Sequence, residues 1–226
     1  MKKILALAIL FLFSSNSQAN DCGSAKALLK EGDLIFLEID HTPFSQVAES
    51  TSSWTSHVGI AFLEPVSKKG GELKQWVVYE SGVPLSRVTE LCTYLSHSTH
   101  GRFAITRYRE SLESNQIETM REKAKSMLGV VYHTGFDFDD WRQFCSKFTY
   151  LIYQAVGIEA GKLITFQDLF DALPTSERRE SLVTFWKRWF WAGFRWSGIP
   201  WTRRTVTPAS QLLDPRFDLV MGKREI

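Results

Sequence analysis

Ser56-His57-Val58-Gly59-Ile60-Ala61-Phe62, answered downstream by Trp76-Val77-Val78-Tyr79-Glu80, decides how this chain folds. Both stretches are rich in β-branched and aromatic residues and read as strands. Between them Pro65 to Lys74 carries Lys68, Lys69, Gly70 and Gly71, a turn signal. Two strands joined by so short a connection pair as an antiparallel hairpin, which sets the start of the first beside the end of the second. His57 is thereby expected close to Glu80.

Outward from the hairpin, Gly32-Asp33-Leu34-Ile35-Phe36-Leu37 is a further strand led by a turn, and residues 44–52 form a short helix or loop. Ser86 with Glu90 reads as the cap of a helix over about 87–96. Arg102 to Tyr108 is a strand, Ser114 to Leu128 an amphipathic helix ended by Gly129, and Thr165 to Leu173 a short helix closed by Pro174. No internal repeat or low-complexity linker interrupts the chain.

In Arg142-Gln143-Phe144-Cys145-Ser146-Lys147-Phe148 a cysteine opens an apolar pattern. Phe144, Phe148, Leu151, Ile152 and Ala155 recur at three- and four-residue spacing, so 144–156 reads as an amphipathic helix with Cys145 in its first turn. The unpaired N–H groups there carry partial positive charge and favour a thiolate, the nucleophilic form of cysteine. The alternative is a small buried hydrophobe. A thiol mechanism needs a nucleophile, a histidine that moves its proton, and a polar group that orients the imidazole; Cys145, His57 and Glu80 supply those types. The hairpin unites the last two, whereas nothing in the spacing brings Cys145 to them.

The first nineteen residues are set apart from the fold. Lys2 and Lys3, the apolar run Ile4 to Phe13 and Ser17-Gln18-Ala19 have the pattern of a secretory signal peptide, over residues 1–19. The apolar run is ten residues, too short to span a bilayer. We therefore expect an exported protein, periplasmic or secreted, with one domain over 20–226 and an aromatic-rich C-terminal extension from about 181. Loss of Lys2 and Lys3 leaves 25 basic groups against 25 acidic ones, a balance without the global field that nucleic-acid binding requires. In an oxidising compartment Cys22 and Cys92 can form a disulfide that leaves Cys145 free, although the sequence does not settle the pairing.

Three other signals carry less. Phe185-Trp186-Lys187-Arg188-Trp189-Phe190-Trp191, with Phe194, Trp196 and Trp201 beyond, is either a helix burying an aromatic face or a peripheral membrane or glycan contact through 185–201; cations for the opposite face favour the first. Cys92, His97 and His100 lack an evident fourth ligand, so no metal site is expected. Asp137, Asp139 and Asp140 lack the glycine and terminal glutamate of a calcium loop. No cofactor motif is present.

Taken together, Gly32-Asp33-Leu34-Ile35-Phe36, Ser56-His57-Val58-Gly59-Ile60, Glu80-Ser81, Tyr132-His133-Thr134-Gly135-Phe136 and Phe144-Cys145-Ser146-Lys147-Phe148 resemble the circularly permuted papain-like amidases of the NlpC/P60 superfamily, in the YiiX/YebB-like branch. The resemblance spans roughly Gly32 to Gly157, with further likeness at 184–187 and 205–210. It implies an α+β fold in which a small antiparallel sheet packs against helices and the cysteine opens one of them. It also implies Cys145 as nucleophile, His57 as base and Glu80 as acidic partner, with the histidine strand preceding the cysteine helix. The oxyanion would meet the Cys145 N–H and one further donor, for which Tyr132 and Gln143 are candidates; His133 is a candidate for lining the cleft. The expected activity is amide hydrolysis through a thioester, foremost in cell-wall peptides. A lipid-directed thioester acyltransferase or hydrolase, or a non-catalytic wall- or lipid-binding protein, are the alternatives.

Overall fold

The hairpin forms and becomes part of a six-stranded antiparallel sheet. The structure is a computed structural model that describes residues 21–41, 44–68, 71–194 and 199–224, so the candidate signal peptide lies outside the described residues. The strands are β1 (Leu34–Leu37), β2 (His57–Lys68), β3 (Gly71–Ser81), β4 (Ser86–Glu90), β5 (Phe103–Tyr108) and β8 (Phe217–Met221), in the spatial order β4-β3-β2-β1-β5-β8. The β2–β3 ladder is longer than the sequence implied: Pro65 pairs with Lys74 and Lys68 with Gly71, within the stretch read as a turn.

β1 shows why the sheet is central. Leu34, Ile35, Phe36 and Leu37 are all fully buried, and alternation sends them to opposite faces. Leu34 and Phe36 join Val58, Ile60 and Phe62 in a core that includes Phe148 and Ile152 of α5 (Cys145–Gln154). Ile35 and Leu37 join Ala61, Val78 and Tyr94 in a second core, closed by the helix α1 over 21–28 and by α3 (Leu91–Ser96). A disulfide between Cys22 and Cys92 ties those two helices together and leaves Cys145 as the free cysteine. It also removes the Cys92 sulfur from any metal set with His97 and His100.

One helix was misplaced by the sequence. Ser86 to Glu90 is strand β4, paired with β3 from Ser81↔Ser86 to Val77↔Glu90, and the helix that follows is capped by Glu90, whose carboxylate accepts from the Thr93 N–H. Alternating Arg87, Val88 and Thr89 suit a half-exposed strand, and pairing with β3 outweighed a local capping pattern. α2 (Phe44–Ser50) and α4 (Ser114–Ser126) fall where expected.

The C-terminal stretch is woven into the domain. α6 (Phe166–Ala172), α7 (Ser176–Phe194), the small ribbon of β6 (Ile164–Thr165) with β7 (Arg204–Thr205), and α8 (Pro208–Leu212) surround the start of α5, while β8 extends the sheet beyond β5. On α7, Leu182 and Trp186 are buried, and Trp186 stacks on Phe166 with ring centroids 4.5 Å apart. Lys187 is exposed. The side chains of Phe185, Arg188, Trp189, Phe190, Trp191 and Phe194, and residues 195–198, lie outside the described ones. Among the described residues no helix is long and apolar enough to cross a membrane.

Candidate active site

Cys145 opens α5 behind an uncapped turn. Phe144, the residue before it, is extended at φ −135° and ψ 165° and makes no side-chain cap bond, which leaves the first N–H groups to acceptors from elsewhere, the Tyr132 hydroxyl among them. The start of α5 is fixed from outside. Ser146 Oγ donates to the Val206 carbonyl at 2.7 Å, and Gln211 Nε2 donates to the carbonyls of Ser146 and Ala160, both at 3.0 Å. Gln211 is fully buried and accepts from Thr149 Oγ1 through its own oxygen at 2.9 Å. Lys147, also buried, turns its ammonium onto the carbonyls of Asp140 and Arg142, fastening the preceding loop to the helix.

β2 and β3 deliver the other two groups. His57 is the first residue of β2, and Glu80 stands opposite Gly59 near the end of β3. Their side chains meet with Nε2 to Oε2 at 2.6 Å, and both are almost completely buried. A Cβ at Gly59 would come within 2.4 Å of Val78 Cγ1 and 3.1 Å of the Tyr94 hydroxyl, so this approach of strand and helix requires glycine. With Nε2 committed to Glu80, Nδ1 is the ring nitrogen available to Cys145. Nδ1 has no well-aligned hydrogen bond, yet Cys145 is the group that most strongly favours the protonated ring. We take the two as neighbours whose hydrogen bond is not yet aligned, as is common in unliganded enzymes.

Electrostatics follow from that grouping. Burial pushes the His57 imidazolium down, but its interactions with Cys145 and then with Glu80 overcome this and raise its pKa from 6.5 to about 10. Burial likewise pushes the Glu80 carboxyl up, and hydrogen bonding to His57, the His57 charge, Thr89 and Arg87 bring it to about 2. Imidazolium and carboxylate are therefore the neutral-pH forms. Such a site sets a proton donor beside the Cys145 sulfur.

Tyr132 and Gln143 lie beside each other in a parallel bridge that leads into Cys145. Burial keeps the Tyr132 hydroxyl well above its usual range, as do the charge of Cys145 and a hydrogen bond to its side chain, while the Cys145 backbone N–H opposes them. The Tyr132 hydroxyl is thus at the sulfur and the first helical amide. Gln143 is buried with its Oε1 unpartnered. His133 is occupied within its own loop: Nδ1 accepts from the Gly135 N–H at 3.2 Å and Nε2 lies 3.6 Å from Asp140 Oδ2. Burial and then Arg142 lower its pKa to about 4, so the ring is neutral and that contact is no ion pair at neutral pH.

Several residues at the site carried no sequence signal of their own. Phe44 of α2 sets its ring 6.0 Å from that of His57 and 6.5 Å from that of Tyr132, edge-on to both. Beside Cys145 is a narrow cavity of about 30 Å³ with mainly apolar walls, among them Val47, Phe136, Phe166, Leu169, Trp186 and Val206. Its walls come from six separate parts of the chain, which a linear pattern does not reveal. Among the described residues no group of three or more His, Cys, Asp or Glu is arranged to hold a metal.

Comparison with known proteins agrees with this architecture. The chain is 26% identical over 132 residues to the uncharacterized protein YiiX of Escherichia coli (strain K12), a match covering 58% of this chain and 61% of that protein. The crystal structure of metalloprotein YiiX from Escherichia coli O157:H7 superposes with a TM-score of 0.70 at 23% identity, covering 88% of this chain and 99% of the other, and so shares the fold. Residues 28–221 match the model of the permuted papain-like amidases, YaeF/YiiX, C92 family. With a buried cysteine opening a helix and the histidine strand preceding it, this chain belongs to that family of permuted papain-like amidases.

Proposed function

We propose that this protein is an exported hydrolase that cleaves an N-acyl amide through a thioester on Cys145. The observation that carries this reading is the buried grouping of Cys145, His57 and Glu80, with imidazolium and carboxylate in their charged forms. The Cys145 sulfur attacks the carbonyl carbon, and His57 donates its proton to the departing amine as the C–N bond breaks. Neutral His57 then takes a proton from water, which attacks the thioester; the acid leaves as the C–S bond breaks, and the Cys145 thiolate and His57 imidazolium are restored. The Cys145 N–H and the Tyr132 hydroxyl are the preferred oxyanion donors, with Gln143 the other candidate. His133 organises the loop leading to Gln143.

The cavity beside the sulfur bears on substrate. Walls of Phe136, Phe166, Leu169, Trp186 and Val206 suit a hydrocarbon group beside the acyl carbonyl, and since about 30 Å³ is room for little more than one methylene, a longer chain requires these walls to part. We therefore rank N-acyl lipids first and wall peptides second. The Cys22–Cys92 disulfide supports an oxidising compartment, in keeping with the candidate signal peptide.

Two measurements test the reading. Iodoacetamide should alkylate Cys145 at neutral pH at least ~10-fold faster than it does in His57→Ala, as expected of an activated thiol; equal rates would refute an activated nucleophile. Incubation with N-acyl lipids and with purified peptidoglycan should release fatty acid from the first. New amino groups from peptidoglycan alone would reverse the ranking, and product from neither would favour a binding protein.

A further inference from the structure

Glu80 has two oxygens, and only one faces His57. The other, Oε1, accepts from Thr89 Oγ1 at 2.6 Å and from Arg87 Nε at 3.0 Å. Both donors come from β4: Arg87 stands directly opposite Glu80 in the β3–β4 ladder, and Thr89 is two residues further on, on the same face. Arg87 is itself held, since its Nη1 donates to the Val83 carbonyl at 3.1 Å. A Cβ at Gly82 would meet the guanidinium at 2.9 Å to 3.1 Å, so glycine there leaves the seat that the arginine occupies. Arg87 is partly exposed whereas Glu80 is 1% exposed, so a surface cation reaches in to a buried carboxylate.

We propose that Arg87 and Thr89 are positioning residues, which from β4 fix the direction of the Glu80 carboxylate and keep it ionised, so that Oε2 stays aimed at His57. The proposal rests on the reading of Cys145, His57 and Glu80 as an acyl-transfer site. A carboxylate with one oxygen unheld could rotate about its terminal torsion, whose preferences are broad. Two donors on Oε1 restrict that rotation without competing for Oε2. The remaining groups facing Glu80 are His57 from β2, Tyr94 from α3 and Tyr132 from the segment before α5, with Cys145 acting through His57. Thr89 and Arg87 both favour the carboxylate, and each loss should therefore raise its titration midpoint.

The test uses the full chain and three variants: Thr89→Val, which keeps shape and removes the donor, Arg87→Gln, and Thr89→Ser, which restores the donor. The Glu80 side-chain carboxyl is followed by carbon NMR against pH, and Cys145 reactivity by iodoacetamide at neutral pH. Thr89→Val and Arg87→Gln should each raise the Glu80 midpoint by about one pH unit, a readout that a purely structural role would leave in place. Thr89→Ser should return it, and alkylation should fall several-fold toward the His57→Ala rate in Thr89→Val alone of the two threonine variants. Should Arg87→Gln fail to fold, the two threonine variants decide the matter. An unmoved Glu80 midpoint in Thr89→Val overturns the proposal while leaving the acyl-transfer reading intact. Wild-type Cys145 reacting no faster than in His57→Ala would overturn both.

Discussion

Burial on its own would discharge both His57 and Glu80; as neighbours each keeps the other charged, and this makes folding stability depend on pH in two separate windows. The folded pKa of His57 is raised, so its contribution is complete below 6.5 and is lost as pH climbs through about 10. That of Glu80 is depressed, so its contribution is complete above 4.5 and is lost as pH falls through about 2. Urea denaturation should therefore show the stability advantage of wild type over His57→Gln shrinking between pH 6.5 and 10. An advantage that grows across that interval would contradict the paired charges. Of these residues, His57 and Glu80 were legible in the sequence because antiparallel register converts a short connection into proximity. Arg87 and Thr89 were not, because Ser86 and Glu90 imitate a helix cap and the pairing that overrides it is long-range. Cys145 could be placed at a helix start by periodicity, but its meeting with His57 came only from the resemblance.

Among the elements, α7 shows most plainly what packing adds to pattern. Its aromatic run reads as a helix burying an aromatic face in preference to a membrane contact, and two of its residues agree: Leu182 and Trp186 are buried, with Trp186 stacked on Phe166 of α6. The same indole forms part of the wall beside Cys145. Trp186→Ala should accordingly cost about 3–5 kcal/mol in denaturant unfolding. If the wall bounds an acyl pocket, the variant should also turn over longer or bulkier acyl probes faster relative to short ones, and a proportional loss across all chain lengths would separate the stack from substrate selection. Helices α4, α5 and α6 could be read from the sequence within a few residues because each combines apolar periodicity with a local start or stop signal. The cavity could not, because its walls come from α2, α6, α7, the start of α5, the loop at Phe136 and the strand leading to α8, and no local rule relates them.

At the scale of the whole molecule, two connections close the fold on itself. β8 returns the C-terminal stretch to the edge of the sheet beside β5, so residues that look like an appendage complete the domain. The Cys22–Cys92 bond fastens α1 to α3 across a sequence separation of 70 residues. A closed loop of that size stabilises by roughly 4 kcal/mol on chain-entropy grounds, and Cys92→Ser should lose a comparable amount in urea unfolding under oxidising conditions. A loss near zero would mean that the second core holds the two helices unaided. The pairing was one the sequence allowed, while its geometry depended on strands bringing distant segments together. The cysteine arrangement also sets what a chemist would count: two sulfurs are spent on each other, and the third lies behind a cavity of about 30 Å³. In intact-mass labelling the native protein should therefore take one small electrophile and exclude a dye-sized maleimide, so that thiol stoichiometry becomes a gauge of how far the site opens.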